Sequence, residues 1–333
     1  MERAHGVIDE IEAAIEVVNP TFRGLGFALL EEVYHWMGDE ARALALSDTV
    51  TSETDAQEVL EVMLWTDWDR AVMLGAVGRF EESLRAFEAH AELCRRIQDA
   101  GFWTARSLNS RGWVCMQLGD FEAGERWNRE SLEAAGGLGD PEIVRNAQLN
   151  LADCALARGE VAEALAILDD VETACAADST RGAEWMKWRY IQHLYASASD
   201  ARLAAGDAAA ALEYSDRCLE QALATNSRRY IARGNETRAR ALLALDRTDE
   251  AVAAVHQAMS AADEVGAPTL RWRTALAQGD VLAAAGRADA VEAYRAGLTI
   301  AEDAAAGFED RSIAERLLSS AEVGRLRAGA AGA

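Results

Sequence analysis

Proline is almost missing: Pro20, Pro141 and Pro268 are the only three in 333 residues. That scarcity excludes polyproline segments and proline-rich linkers and suits closely packed helices. Positive charge is also short, with 33 basic residues against 56 acidic ones and a net charge of -23. Such a surface repels a phosphate backbone and an anionic bilayer, so nucleic acid and membrane are excluded as default partners. Lysine is reduced to Lys187, every other cation being arginine, a bias that a high-GC bacterial genome produces without any function. The cysteines Cys94, Cys115, Cys154, Cys175 and Cys218 are odd in number, far apart and never in CxxC, which excludes a zinc knuckle and a disulfide framework. No long apolar run occurs, and the amino terminus MERAHGVIDEIEAA carries acids where a signal peptide needs apolar residues, so the cytoplasm is the expected compartment. GxxxxGK[ST], HExxH, GxSxG and a GxGxxG in strand–helix context are absent, and no cofactor is expected.

What is abundant is alanine, within a composition that is 50% hydrophobic, and a short turn that keeps returning. LGDFEAG, ARGEVAEAL, AAGDAAAAL, LDRTDEAV and AAGRADAV share a glycine or aspartate followed by a polar residue and a small one. Anchored on Gly38, Gly78, Gly119, Gly159, Gly206, Asp246 and Gly286, the spacings are 40, 41, 40, 47, 40 and 40. A fixed period of that size marks a repeat architecture.

Two columns of small residues share the register. Five positions after the anchor stand Ala43, Ser83, Gly124, Ala164, Ala211 and Ala251, with Ala290 one residue early; seven before it stand Ala71, Gly112, Ala152, Ser199, Ala239 and Gly279, with Glu31 as the exception. Two helices approach closely only where side chains are small, so these columns predict the crossing of an antiparallel pair. Leu44, Leu84, Leu165, Leu212 and Val252 beside them supply a core shared with the next pair. Each proline lies 18 residues before an anchor, in the first turn of a predicted helix.

Small residue, seven positions, glycine, an aromatic two residues on (Phe80, Phe121), then a small residue and an aromatic (Phe87, Tyr294) resembles the tetratricopeptide repeat. The resemblance covers roughly residues 20 to 305, and its long period is similar to the repeats of bacterial LuxR-type regulator sensor arms and peptide-pheromone receptors. It implies an all-α, right-handed superhelical solenoid of seven helix pairs over residues 20–305. A capping helix is expected at 1–19, another at 306–327 and a disordered tail at 328–333. The 47-residue interval is expected to lengthen the first helix of the fifth pair, where Arg202 also replaces the usual apolar residue.

The resemblance places the inner wall of the groove at 13, 10, 9 and 6 residues before each anchor. That rule selects Trp65, Arg106, Asn146, His193, Arg233 and Arg273; Trp68, Asn109, Asn150 and Glu236; and Trp113, Asp153, Asp200, Arg240 and Asp280. Trp65, Trp68 and Trp113 either stack on a ligand or fill space between helices. Asn109, Asn146 and Asn150 either grip a peptide backbone or are solvated. Arg233, Arg240 and Arg273 either meet an anionic group or pair with Asp200, Glu236 and Asp280. His193 with Asp153 and Asp200 is the best acid–base or metal set, a constellation common by accident. The lysine-lined chaperone clamp of some tetratricopeptide proteins is missing. The expected function is a scaffold that binds a protein or peptide segment, with a peptide or small-ligand receptor acting in trans as the alternative and an enzyme behind both.

Overall fold

The computed structural model describes residues 8, 13, 20–53, 60–97, 100–138, 140–177 and 190–332, and among these every regular element is a helix. Fourteen of the helices form seven antiparallel pairs: α1 (Pro20–Met37) with α2 (Glu40–Glu53), α3 (Leu60–Ala76) with α4 (Phe80–Arg96), α5 (Gly101–Gln117) with α6 (Phe121–Ala135), and α7 (Pro141–Ala157) with α8 (Val161–Ala177). The series continues with α9 (Ile191–Ala204) and α10 (Ala208–Thr225), α11 (Arg228–Ala244) and α12 (Thr248–Val265), and α13 (Pro268–Ala284) and α14 (Ala290–Ala306); α15 (Arg311–Ser319) and α16 (Ala321–Ala330) close the chain.

All seven anchors sit in the left-handed region, from φ +59° at Asp246 to +87° at Gly78. Glycine takes that conformation without a Cβ penalty, and aspartate is among the few others that tolerate it. The residue after the anchor then donates back across the helix end, as Asp39 N does to Tyr34 O at 2.9 Å and Asp120 N to Cys115 O at 3.0 Å. Those bonds satisfy carbonyls the helix end would otherwise orphan. The next helix starts on a cap such as Asp120 or Asp207, and a proline opens the first helix of the first, fourth and seventh pairs.

The small columns meet where expected. Ser83 Oγ donates to Ala71 O at 2.6 Å and Ser199 Oγ to Ala211 O at 2.7 Å, each bond joining one column to the other. Glu31, the exception, is fully buried; burial first, then neighbouring Glu32, pushes its carboxyl well above the usual range.

The solenoid closes on itself. One apolar cluster joins Leu30, Phe80 and Leu118 to Trp272, Phe308 and Leu326, and the Phe80 and Phe308 rings lie 6.0 Å apart. A Cβ on Gly78 would meet Pro268 at 2.8 Å and one on Gly119 would meet Ser320 at 2.7 Å, whereas Gly159, Gly206 and Gly286 have nothing within 4 Å. The first three turns therefore pack against the start of α11, the start of α13 and the α15–α16 corner. Arg229 with Glu40, Arg316 with Asp120 at 3.2 Å, and Arg273 donating to Met116 O at 2.9 Å tie the seam.

Two expectations change. The carboxy-terminal cap is two helices, and 328–330 belong to α16, because Ser320 caps that helix and Leu326 and Val323 are buried beneath it. The 47-residue interval does not lengthen the first helix of the fifth pair: α9 has 14 residues, and the extra sequence at 178–189 lies outside the described residues. Arg202 reaches Asp169 at 2.6 Å, which explains a charge at an apolar position. The amino-terminal cap is outside the described residues apart from Ile8, buried in the main core, and Ala13.

Candidate binding cavity

Closure turns the groove into a cavity of about 560 Å³, within the range of small-molecule sites. Its wall comes from the first helices of pairs three to seven plus α16. Trp113, Met116, Leu156 and Leu276 give it an apolar side. The charged side carries five carboxylates, Asp153, Asp200, Glu236, Asp280 and Glu322, and five guanidiniums, Arg229, Arg233, Arg240, Arg273 and Arg325.

The arginines are partnered from within. Arg233 reaches Asp200 at 2.9 Å; Arg240 bonds Glu236 and lies 3.3 Å from Asp200; Arg273 reaches Glu322 at 2.9 Å. Asp280, expected to serve this wall, instead accepts from Tyr294 Oη at 2.8 Å and from Arg325. A buried guanidinium is costly without a counter-charge, so the wall is an alternating lattice of ion pairs. His193 Nε2 lies 2.8 Å from Asp153 Oδ2, and Ser197 Oγ donates to the other oxygen at 2.6 Å. Burial alone would raise the Asp153 carboxyl, but His193, Arg233 and Ser197 hold it below its usual value. Asp200 belongs to Arg233, so the three residues do not converge on one point. Among the described residues no group of His, Cys, Asp and Glu has the arrangement of a metal site.

A second cavity of about 80 Å³ opens beside the first and shares Trp113, His193, Arg229 and Tyr230 with it. Its other walls are His35, Trp36, Trp68, Tyr190, Val72, Met73, Ser110, Glu32, Asp69 and the amides Asn109, Asn146 and Asn150. Tyr190 stands edge-on to Trp36 with centroids 5.6 Å apart, and Tyr230 lies parallel to it at 6.5 Å. The amides are chained: Asn128 Nδ2 donates to Gly124 O at 2.8 Å, while its Oδ1 accepts from Asn109 at 2.8 Å and Asn150 at 3.1 Å. Asn146 Nδ2 then donates to Asn109 Oδ1 at 2.6 Å.

Thirteen of the fifteen candidates therefore border these cavities; Trp65 and Arg106 border neither. Trp65 packs on Trp103, with centroids 6.2 Å apart. Arg106 is buried between Glu32 at 2.9 Å and Glu142 at 3.0 Å and lies over the Trp68 face at 4.1 Å. Trp68 is itself 4% exposed and donates to Ser110 Oγ at 3.0 Å, so its larger part is core. Sequence reasoning missed Tyr190 and Tyr230, each 16 residues before its anchor, one turn beyond the rule used. It also missed Asn128, nine after its anchor, in a column that holds Ser47 and Ser215 as well as Phe87, Leu168 and Val255 and so gives an amide little contrast.

The tetratricopeptide repeat family matches residues 62–137. Curated proteins give no match to the sequence. Among solved structures, the chain is similar to a Rap protein complexed with competence and sporulation factor, at 14% identity and a TM-score of 0.62 over 91% of this chain and 85% of that one. It is also similar to NprR in complex with its cognate peptide NprX, at 12% identity and a TM-score of 0.58 over 89% of this chain and 83% of that one. Identity at that level speaks for fold alone, and with the seven left-handed anchors it makes this chain a tetratricopeptide-type helical solenoid.

Proposed function

We propose that the chain is a receptor for a short peptide or peptide-like segment held in the concave cavity. The observation that carries this reading is closure: the seam converts an open trough into a chamber of about 560 Å³ with apolar, amide and paired-charge walls, sized for a short ligand. A long open trough would have suited an extended scaffold partner. The two solved structures described above are complexes with competence and sporulation factor and with a cognate peptide, which supports the same reading. We read the chain as a binding protein rather than an enzyme, because His193 and Asp153 form a satisfied pair within the wall and Asp200 is committed to Arg233. A reducing, cytoplasmic setting fits the five buried free thiols, two of which, Cys154 and Cys218, burial pushes up to about 12.

Trp113 borders both cavities and is half-buried, so it reports on occupancy. Screening a pooled hexapeptide library by native mass spectrometry should give one-to-one complexes whose formation changes tryptophan fluorescence. Trp113→Ala should weaken those complexes about tenfold or more while leaving the helical circular dichroism unchanged. Peptide complexes indifferent to Trp113→Ala would place binding elsewhere and overturn the assignment.

A further inference from the structure

The small cavity has a hydrogen-bonding polarity that one backbone atom determines. Gly124 O can only accept, so the amide of Asn128 must turn its Nδ2 toward it, at 2.8 Å, and its Oδ1 toward the wall. Asn109 and Asn150 must then both spend an N–H on that oxygen, and Asn146 spends one on Asn109 Oδ1. The geometry is forced closely: a Cβ on Gly112 would stand 2.4 Å from Asn128 Nδ2, so only glycine leaves the amide room at this crossing. The outcome is a ladder in which Asn109, Asn146 and Asn150 each give an N–H to a neighbouring carbonyl oxygen, and Asn150 Oδ1 is left over. Asn150 is 1% exposed, lines the cavity, and its Oδ1 has no hydrogen-bond partner. A buried acceptor left unmet costs about 1–3 kcal/mol, which a ligand donor would recover.

The rest of the chamber selects the same kind of group. Trp36, Trp113, Tyr190 and Tyr230 present aromatic surface, and the carboxylates Glu32 and Asp69 line the wall. Of the lining basic groups, Arg229 and His35 are engaged by Glu40 and His193 by Asp153, while Arg106, beneath the wall, is engaged by Glu32 and Glu142. The unmet Asn150 acceptor and the aromatic faces together favour a desolvated cation with N–H donors. About 80 Å³ is room for roughly five to eight waters, hence for a head group and not for a whole ligand.

We propose that the small chamber is a subsite for a guanidinium or primary ammonium head group, with Asn150 Oδ1 as an acceptor and Asn128 as the positioning residue that sets the polarity of the ladder. The assignment rests on the cavity being the ligand site, and it names the chemistry of one end of that ligand. The group arrives either on a basic side chain or amino terminus of a peptide or on a free small amine.

Three probes of similar length separate charge from donation: agmatine, its neutral ureido isostere n-pentylurea, and n-pentyltrimethylammonium, a cation without N–H. Titrated against the full chain and followed by tryptophan fluorescence and calorimetry, agmatine should saturate and bind at least tenfold tighter than either of the others. Asn150→Leu should lose about tenfold or more for agmatine, and Asn150→Asp should gain affinity while keeping the shape. The capped pentapeptide Ala-Ala-Arg-Ala-Ala and its citrulline counterpart identify the source. Discrimination by the peptides assigns the head group to a peptide side chain, and discrimination by agmatine alone assigns it to a free amine. Agmatine that binds no better than its ureido isostere overturns the subsite. If peptides still bind in that case the peptide reading stands, and if nothing binds both fall. Should Asn150→Leu fail to fold, the three wild-type titrations decide alone.

Discussion

At the scale of single residues, the sequence pointed to chemistry-bearing side chains and left their partners open. Arg233, Arg240 and Arg273 read as ligand contacts or as halves of ion pairs, and Arg106 as a lining residue of the groove, because a partner one repeat away is invisible until the superhelical turn is known. Arg106 shows what the structure adds. Its guanidinium is 9% exposed and is bound on both sides by carboxylates from pairs one and four. Removing it strands Glu32 and Glu142 in the interior, the situation in which a lost buried partner is most damaging. Arg106→Ala should destabilise the fold by about 3–5 kcal/mol, seen as a large drop in the denaturant midpoint with an unchanged slope. A loss below about 1 kcal/mol would mean that the pocket around Arg106 is wet and its charges are screened. Asn128 makes the complementary point: its column holds the buried serines Ser47 and Ser215 beside Phe87, Leu168 and Val255, so a polar residue there breaks no pattern that the sequence displays.

At the scale of elements, legibility was high wherever backbone chemistry decides. Seven anchors needed a left-handed residue, and the chain supplies glycine six times and aspartate once. The crossing columns were legible because steric exclusion acts on side-chain size, which a sequence displays directly. Ala251 is fully buried and faces Ala239, also fully buried, across the sixth pair. Ala251→Leu should overpack that crossing and cost about 1–3 kcal/mol by thermal melting. A variant that melts with the wild type would remove Ala251 from the crossing. The limits lay in irregular sequence: seven extra residues between anchors say how much chain there is, not where it goes, and α9 starts at Ile191 without them. The two aromatic residues Tyr190 and Tyr230 were overlooked because the groove rule stops one turn short of them.

At the scale of the whole molecule, closure was not legible, because superhelical pitch accumulates from small rotations between pairs that no single repeat encodes. Yet closure makes the cavity, and it gives the chain properties an open solenoid lacks. Glu40, 2% exposed, holds the seam through Arg229 and His35. Burial would raise its carboxyl, but His35 and Arg229 outweigh that and bring it from 4.5 down to about 2. A folded value below the unfolded one means the stabilisation is complete above about pH 4.5 and is lost as pH falls toward 2, a difference of about 3 kcal/mol. Glu40→Gln should therefore be less stable than wild type at pH 7 and flatter across that window in urea melts; parallel curves would detach Glu40 from the seam. The topology itself is tested by truncation. In an open solenoid each repeat touches only its neighbours, so deleting residues 310–333 would loosen α13 and α14 and little else. Here Ser320 packs on the Gly119 turn, Arg316 reaches Asp120, the Asp310 amide donates to Glu81, and Glu322 holds Arg273, which in turn holds Met116 O. Native-state hydrogen exchange reports local opening segment by segment. In the truncated chain, amides at 78–83 and 116–124, nearly two hundred residues away along the sequence, should exchange at least severalfold faster, together with those at 290–306. Acceleration confined to 268–309 would show that the two ends are independent and that the cavity is not sealed by the seam.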